Sequence, residues 1–182
     1  MLGIIVEGFY DEKIIRAFTS RILPGDTVIR SVGGKTKLRQ KLRGWLEFFR
    51  HYEQNGKIHK VLIIRDQDQE CIKLVVEDLQ NLVSDRDYPF QIKYCVIKAA
   101  IEAWLLADEQ AIAQAVDKNV PVVHETLEDI QNPKGRLVSI LSEAKLNYTD
   151  ERAGQIAEAA DLETIAYRCP CFQRFRQTIA DC

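Results

Sequence analysis

No apolar stretch in this chain approaches the roughly 18 residues that would cross a membrane. Its first apolar run, Leu2 to Val6, meets Glu7 at once. The expectation is therefore no secretory leader and no membrane partner. A disulfide framework is missing too: five cysteines, an odd number without regular spacing, fit a reducing cytoplasm. Bulk charge is also lacking, with 25 Lys+Arg against 27 Asp+Glu, so net charge selects no partner. A local basic stripe could still serve nucleic acid. Neither a Gly/Ser/Pro-rich linker nor an internal repeat divides the sequence.

Several chemistries lose their signature in the same way. Cys169-Pro170-Cys171 is not a zinc spacing, no second pair completes it, and His51, His59 and His124 stand apart from it as surface or loop histidines. The phosphate-loop pattern ahead of Gly34-Lys35-Thr36 requires glycine where Ile29 stands, so Gly33-Gly34 reads as a strand-to-helix turn. No Ser or Cys has a recognisable nucleophile setting.

What remains is a pattern of acids at the ends of short apolar runs. Leu2-Gly3-Ile4-Ile5-Val6 ends in Glu7-Gly8-Phe9-Tyr10-Asp11, and Val61-Leu62-Ile63-Ile64 passes through Arg65 into Asp66-Gln67-Asp68. Such β-branched-rich runs predict buried parallel strands. Further strands are predicted over Thr27–Val32 and Phe90–Ile97. Helices are predicted over Glu12–Ile22, Lys35–Tyr52 and Glu70–Val83, with Asp11 as an N-cap and Leu74, Val75, Leu79 and Leu82 inward. From Ala99 the pattern is helical: Ala99–Val116, Gly135–Ala144 after Asn132-Pro133, Glu151–Ala159, Leu162–Tyr167 and Phe172–Ala180. The expected fold is an α/β core over residues 1–98, with a central four-stranded parallel sheet flanked by helices. A helical extension over 99–182 packs on it as part of one core.

In parallel sheets, ligands bind in the crevice outside the carboxyl ends of the strands. Glu7, Asp11, Asp66 and Asp68 would share that rim, where so much negative charge calls for a cation. Asp66 and Asp68, two apart on an extended backbone, would point the same way. Glu102, set among Ile101, Trp104, Leu105 and Leu106 and about one helical turn beyond the fourth strand, needs a partner, either metal or Lys98. Mg²⁺ takes oxygen ligands, and a pair of such ions about 4 Å apart serves phosphodiester displacement. The bland readings are an Asp11 that only caps a helix, an Asp66-Gln67-Asp68 solvated turn and a structural Glu102–Lys98 ion pair. Lys35, Lys37, Arg39, Lys41 and Arg43 form the densest basic cluster, ordinarily a solvated helix face. Beside a metal rim, Lys35 and Arg39 could hold a polyanion. Lys134 could reach the site as a charge stabiliser. Trp45 and Trp104 read as core.

Val6-Glu7-Gly8 followed by Asp66-x-Asp68 after an apolar strand resembles the Toprim domain. Glu7-x-x-x-Asp11 and Gly33-Gly34 resemble its branch in OLD-family nucleases. Together with Ile101–Asp108, Asn132-Pro133-Lys134 and Cys169-Pro170-Cys171-Phe172, the chain is similar to a small stand-alone bacterial Toprim-like family of unknown function. The resemblance implies a Rossmann-like sheet with an Mg²⁺ or Mn²⁺ site. Glu7 would be a ligand or general acid/base, Asp66 and Asp68 ligands, and Asp11 and Glu102 further ligands. It implies a metal-dependent nuclease in DNA or RNA processing. Rival readings are nucleotidyl transfer or phosphohydrolysis at the same site, and a non-catalytic module that binds nucleic acid or an ATPase. Nucleic acid is the expected partner. OLD-type relatives join their Toprim domain to an ATPase domain, so a separately encoded ATPase is a second expected partner; Phe172 and Phe175 would give it an apolar edge to dock on, the blander reading being that they pack against the sheet. A homodimer is left open.

Overall fold

A computed structural model describes residues 1–52, 54, 56–68 and 70–181. The alternating first half forms β1 (Leu2–Val6), α1 (Phe9–Ile22), β2 (Thr27–Ser31), α2 (Lys35–Arg50), β3 (Lys60–Asp66), α3 (Ile72–Asn81) and β4 (Gln91–Ile97). The strands make a four-stranded sheet in the order β2-β1-β3-β4, every pairing parallel. The central strands are apolar because both faces are covered. Leu2, Ile4 and Val6 enter one core with Leu62, Ile64 and Phe18 of α1. Ile5 enters the other, with Val61, Ile63 and the α2 residues Leu38, Leu42, Leu46 and Phe49. Gly3 has a specific reason to be glycine: a Cβ there would lie 3.0 Å from the Phe49 ring.

The second half is helical: α4 (Glu102–Leu105), α5 (Glu109–Val116), a short 3-10 turn over Leu127–Asp129, α6 (Pro133–Glu143), α7 (Asp150–Ala159), α8 (Leu162–Arg168) and α9 (Pro170–Ala180). These helices pack on the α1 side of the sheet and share its core, so a cut at residue 98 crosses continuous packing. Trp104 is central, with Phe172 and Phe175 at ring distances of 5.0 and 5.1 Å and its indole N–H donating to Cys171 Sγ at 3.0 Å. Among the described residues no helix is long and apolar enough to cross a membrane.

Several expectations are corrected here. The helix over Ala99–Val116 is broken, because Asp108 leaves the helix and caps α5, accepting the amide N–H groups of Gln110 and Ala111. Its other oxygen accepts the Asp161 amide at 2.7 Å. Glu70 precedes α3, and Leu74 points outward, 62% exposed. Trp45 is only half-buried. Phe172 and Phe175 are fully buried against Trp104 and so form no docking edge.

Candidate functional site

The sheet order sets where a site can lie. From β1 the chain passes through α1 to β2 on one side, and β3 and β4 lie on the other. The switch point is therefore the gap between β1 and β3, where crevices form in such sheets. A cavity of about 740 Å³ opens there. Glu7, Asp11, Asp66, Asp68 and Glu102 all line it, as does Lys134.

Each acid arrives by its own local device. Glu7 follows β1 directly, and its carbonyl accepts the amides of Gly33 and Gly34 at 2.9 and 2.8 Å. Those glycines adopt φ of 85° and 117°, conformations that favour glycine, and tie the ends of β1 and β2 together. Their N–H groups are thereby engaged on Glu7 rather than turned to a phosphate. Asp11 is not the N-cap of α1: Gly8 holds that position, and Asp11, three residues on, accepts the Gly8 amide at 2.7 Å. A Cβ on Gly8 would come within 3.0 Å of that carboxylate, so glycine leaves the room that brings Asp11 back to the rim.

Asp66 ends β3. Asp68 lies beyond the strand with φ of 51°, so strand alternation does not aim it. A left-handed turn, which aspartate tolerates, carries it to the cavity. Its carboxylate lies 3.7 Å from Lys35 Nζ. Glu102, 4% exposed, opens α4. Its expected partner Lys98 instead pairs with Asp129 at 2.5 Å. Glu102 accepts the Tyr148 hydroxyl at 3.1 Å and faces Lys134 at 3.9 Å. Asn132 positions Lys134 by capping α6, accepting the Gly135 amide at 2.8 Å. The lysine ammonium then sits 4.5 Å from the Tyr10 ring, which stacks on Tyr148 at 5.0 Å.

Electrostatics single out Asp66. Burial raises its carboxyl well above the usual range, and the groups that add to the shift are all acidic: Asp11, Glu102, Glu7 and Asp68. Burial likewise raises Glu7, Asp11 and Glu102, while Arg65 opposes the shift at Glu7 and Lys134 at Asp11 and Glu102. Among the described residues no group of three or more His, Cys, Asp or Glu side chains is arranged as a metal cage.

A family model described as the domain of unknown function DUF4276 matches residues 6–180, a span that takes in every residue lining the cavity. The chain belongs to this family. No curated protein and no solved structure matches it.

The DUF4276 site also contains residues that the sequence reading passed over. Arg65, 3% exposed, directs its guanidinium at Glu7, Glu70 and Asp78. A charge inside an apolar strand was the available signal. Tyr10 and Tyr148 had none, since only the packing of α7's leading loop against α1 brings them together. The basic cluster is resolved differently from expectation: Lys35 is engaged by Asp68 and Glu70, and Arg39 by Asp78 at 2.8 Å. Neither lines the cavity.

Proposed function

We propose that this DUF4276 chain is a cytoplasmic, divalent-metal-dependent phosphodiesterase of the Toprim/OLD type that acts on nucleic acid. The observation that carries this reading is that Glu7, Asp11, Asp66, Asp68 and Glu102 line one cavity at the switch point, where the other four raise the Asp66 carboxyl beyond the effect of burial. Clustered like charge of this kind costs stability and suits a site that takes a cation.

The donors fit Mg²⁺ or Mn²⁺, which take hard oxygen ligands. Glu7 lines the cavity while its Oε2 faces the buried Arg65 guanidinium at 3.7 Å, so its other oxygen is the one that would meet the ion. Glu7, Asp66 and Asp68 would hold the ion, with Asp11 and Glu102 beside them. Bound there, it supplies Lewis-acid polarisation of the phosphate and of the attacking water.

The chain's own groups do the rest. Lys134 brings positive charge to the cavity beside Glu102, where it stabilises negative charge building on the phosphate oxygens. Burial and Asp68 raise the Glu7 carboxyl above its usual range, against the lowering effect of Arg65. Arg65 orients Glu7, and the Tyr148 hydroxyl orients Glu102.

The test is cleavage of DNA and RNA with Mg²⁺ or Mn²⁺ by wild type, Glu7→Gln and Asp66→Asn. Both amides keep side-chain shape and remove charge, so losses of at least about 100-fold are expected. Equal cleavage by all three proteins would reveal a contaminant and overturn the reading.

A further inference from the structure

Helix α2 carries two flanks beside its buried stripe of Leu38, Leu42, Leu46 and Phe49. On the flank toward α3, charge is answered by charge: Arg39 meets Asp78 at 2.8 Å, Arg43 meets Asp85 at 3.1 Å, and Glu47 takes Arg86 at 3.2 Å. The other flank, at spacings that align residues along a helix, carries Lys37, Lys41, Trp45 and Phe48. Lys37 and Lys41 are exposed, and among the described residues no carboxylate forms an ion pair with either. Arg30 of edge strand β2 joins this flank, its guanidinium 5.8 Å from the Trp45 ring and 5.1 Å from that of Phe48.

The row begins at the carboxylate rim. Phe9 stands between Glu7 and Asp11 in the chain and is 63% exposed. A Cβ on Gly33 would lie 3.3 Å from the Phe9 ring and 3.5 Å from Lys37 Cδ, so ring and lysine stem both flank that glycine. From Lys37 to Phe48 the flank extends ~16 Å, at about 1.5 Å per residue. One path leading away from the acids thus carries an exposed ring at Phe9, two cations at Lys37 and Lys41, and Arg30 over the Trp45 and Phe48 rings. A single strand uses both, its bases stacking on rings and its phosphates meeting cations, whereas a duplex keeps its bases stacked inside.

The geometry points to this flank as the track of a single-stranded nucleic acid entering the site, with a base on Phe9 and phosphates on Lys37, Lys41 and Arg30. This rests on the nuclease reading and supplies its substrate class. It also moves polyanion binding from Lys35 and Arg39, whose charges are engaged, to the opposite side of α2.

The experiment measures fluorescence anisotropy of labelled oligothymidylate, oligouridylate and a DNA duplex with the full chain in Ca²⁺, across a salt series. Wild type is expected to prefer the single strands. The Lys37→Ala/Lys41→Ala double variant is expected to weaken their binding at least about tenfold and to reduce the salt slope by ~1.4, the loss of two single-strand phosphate contacts. Phe9→Ala is expected to weaken binding about 5- to 100-fold with the slope unchanged. Arg43→Ala, on the answered flank, stays within about twofold. A preference for duplex, or unaltered binding by the double variant or Phe9→Ala, overturns the track.

Metal-dependent hydrolysis of methyl para-nitrophenyl phosphate, which has no nucleobase, separates the two readings. Wild-type hydrolysis that survives in all flank variants, beside unaltered single-strand binding, sinks the track alone. Flank-dependent binding without any such hydrolysis supports the track and counts against the nuclease reading.

Discussion

Arg65 Nε lies 3.7 Å from Glu7 Oε2, behind the rim and sealed from water. The same guanidinium meets Glu70 and, at 3.8 Å, Asp78. One cation from the middle of the sheet thereby links the end of β1, the loop before α3 and α3 itself. Arg65→Met would strip Glu7 of its ion-pair partner and leave Glu70 and Asp78 to Lys35 and Arg39 alone. A loss of about 3–5 kcal/mol in urea unfolding is expected. Arg65→Lys should recover only part, because an ammonium cannot fork toward several carboxylates. An unfolding midpoint for Arg65→Met equal to that of wild type would refute the network.

Asp66 sets a pH dependence. Its folded carboxyl is raised by burial first, then by Asp11, Glu102, Glu7 and Asp68. A raised acid binds its proton more tightly in the folded state, so its contribution is most favourable below the unfolded value near 4 and is lost as pH climbs through the raised folded value. In EDTA, Asp66→Asn is therefore expected to be more stable than wild type at neutral pH, with the advantage shrinking as pH falls toward 4. Added Mn²⁺ should raise the wild-type melting temperature and leave the variant nearly unmoved. Melting curves for both proteins across pH, with and without Mn²⁺, check this. Identical shifts in the two proteins would place the cation elsewhere.

Tyr148 holds Glu102 through one hydroxyl hydrogen bond of 3.1 Å, beside its own backbone N–H and, at longer range, Lys134. Tyr148→Phe keeps the stack on Tyr10 and removes that donor. The expected cost is about 1–3 kcal/mol by chemical denaturation, since the enclosed carboxylate loses that donor. Tyr10→Phe, which deletes no bond to Glu102, should lie close to wild type. Equal costs for the two substitutions would show that ring packing, not the hydroxyl, supports the site.

Phe172 and Phe175 belong to the interior, at 5.0 and 5.1 Å from the Trp104 ring. Phe172→Ala is expected to destabilise the chain by about 3–5 kcal/mol, by opening a cavity beside Trp104 and Phe18. Charged replacements at either position should lose near-ultraviolet dichroism from the buried aromatic cluster rather than release a partner from a folded chain. A fully folded Phe175→Asp would show that this packing is wrong.

The strands and the parallel sheet were legible because each apolar run is short, β-branched and ends in a polar break, so local pattern and tertiary burial agree. Glu7, Asp11, Asp66 and Asp68 could be placed on one rim from sequence for the same reason: strand ends in a parallel sheet share an edge. Aim was not legible. Asp68 reaches the cavity through a left-handed turn rather than strand alternation, and Glu102 is met by Tyr148 and Lys134 rather than Lys98, because those partners arrive from remote helices. Arg65 reads as an oddity in an apolar run until three carboxylates from other segments surround it. The basic helix likewise reads as one cluster of like charge. Only the docking of α3 and the segment after it along one flank, with Asp78 and Asp85, engages Arg39 and Arg43 and leaves Lys37 and Lys41 on the other, because ion pairing depends on which surface packs opposite rather than on spacing along a single helix.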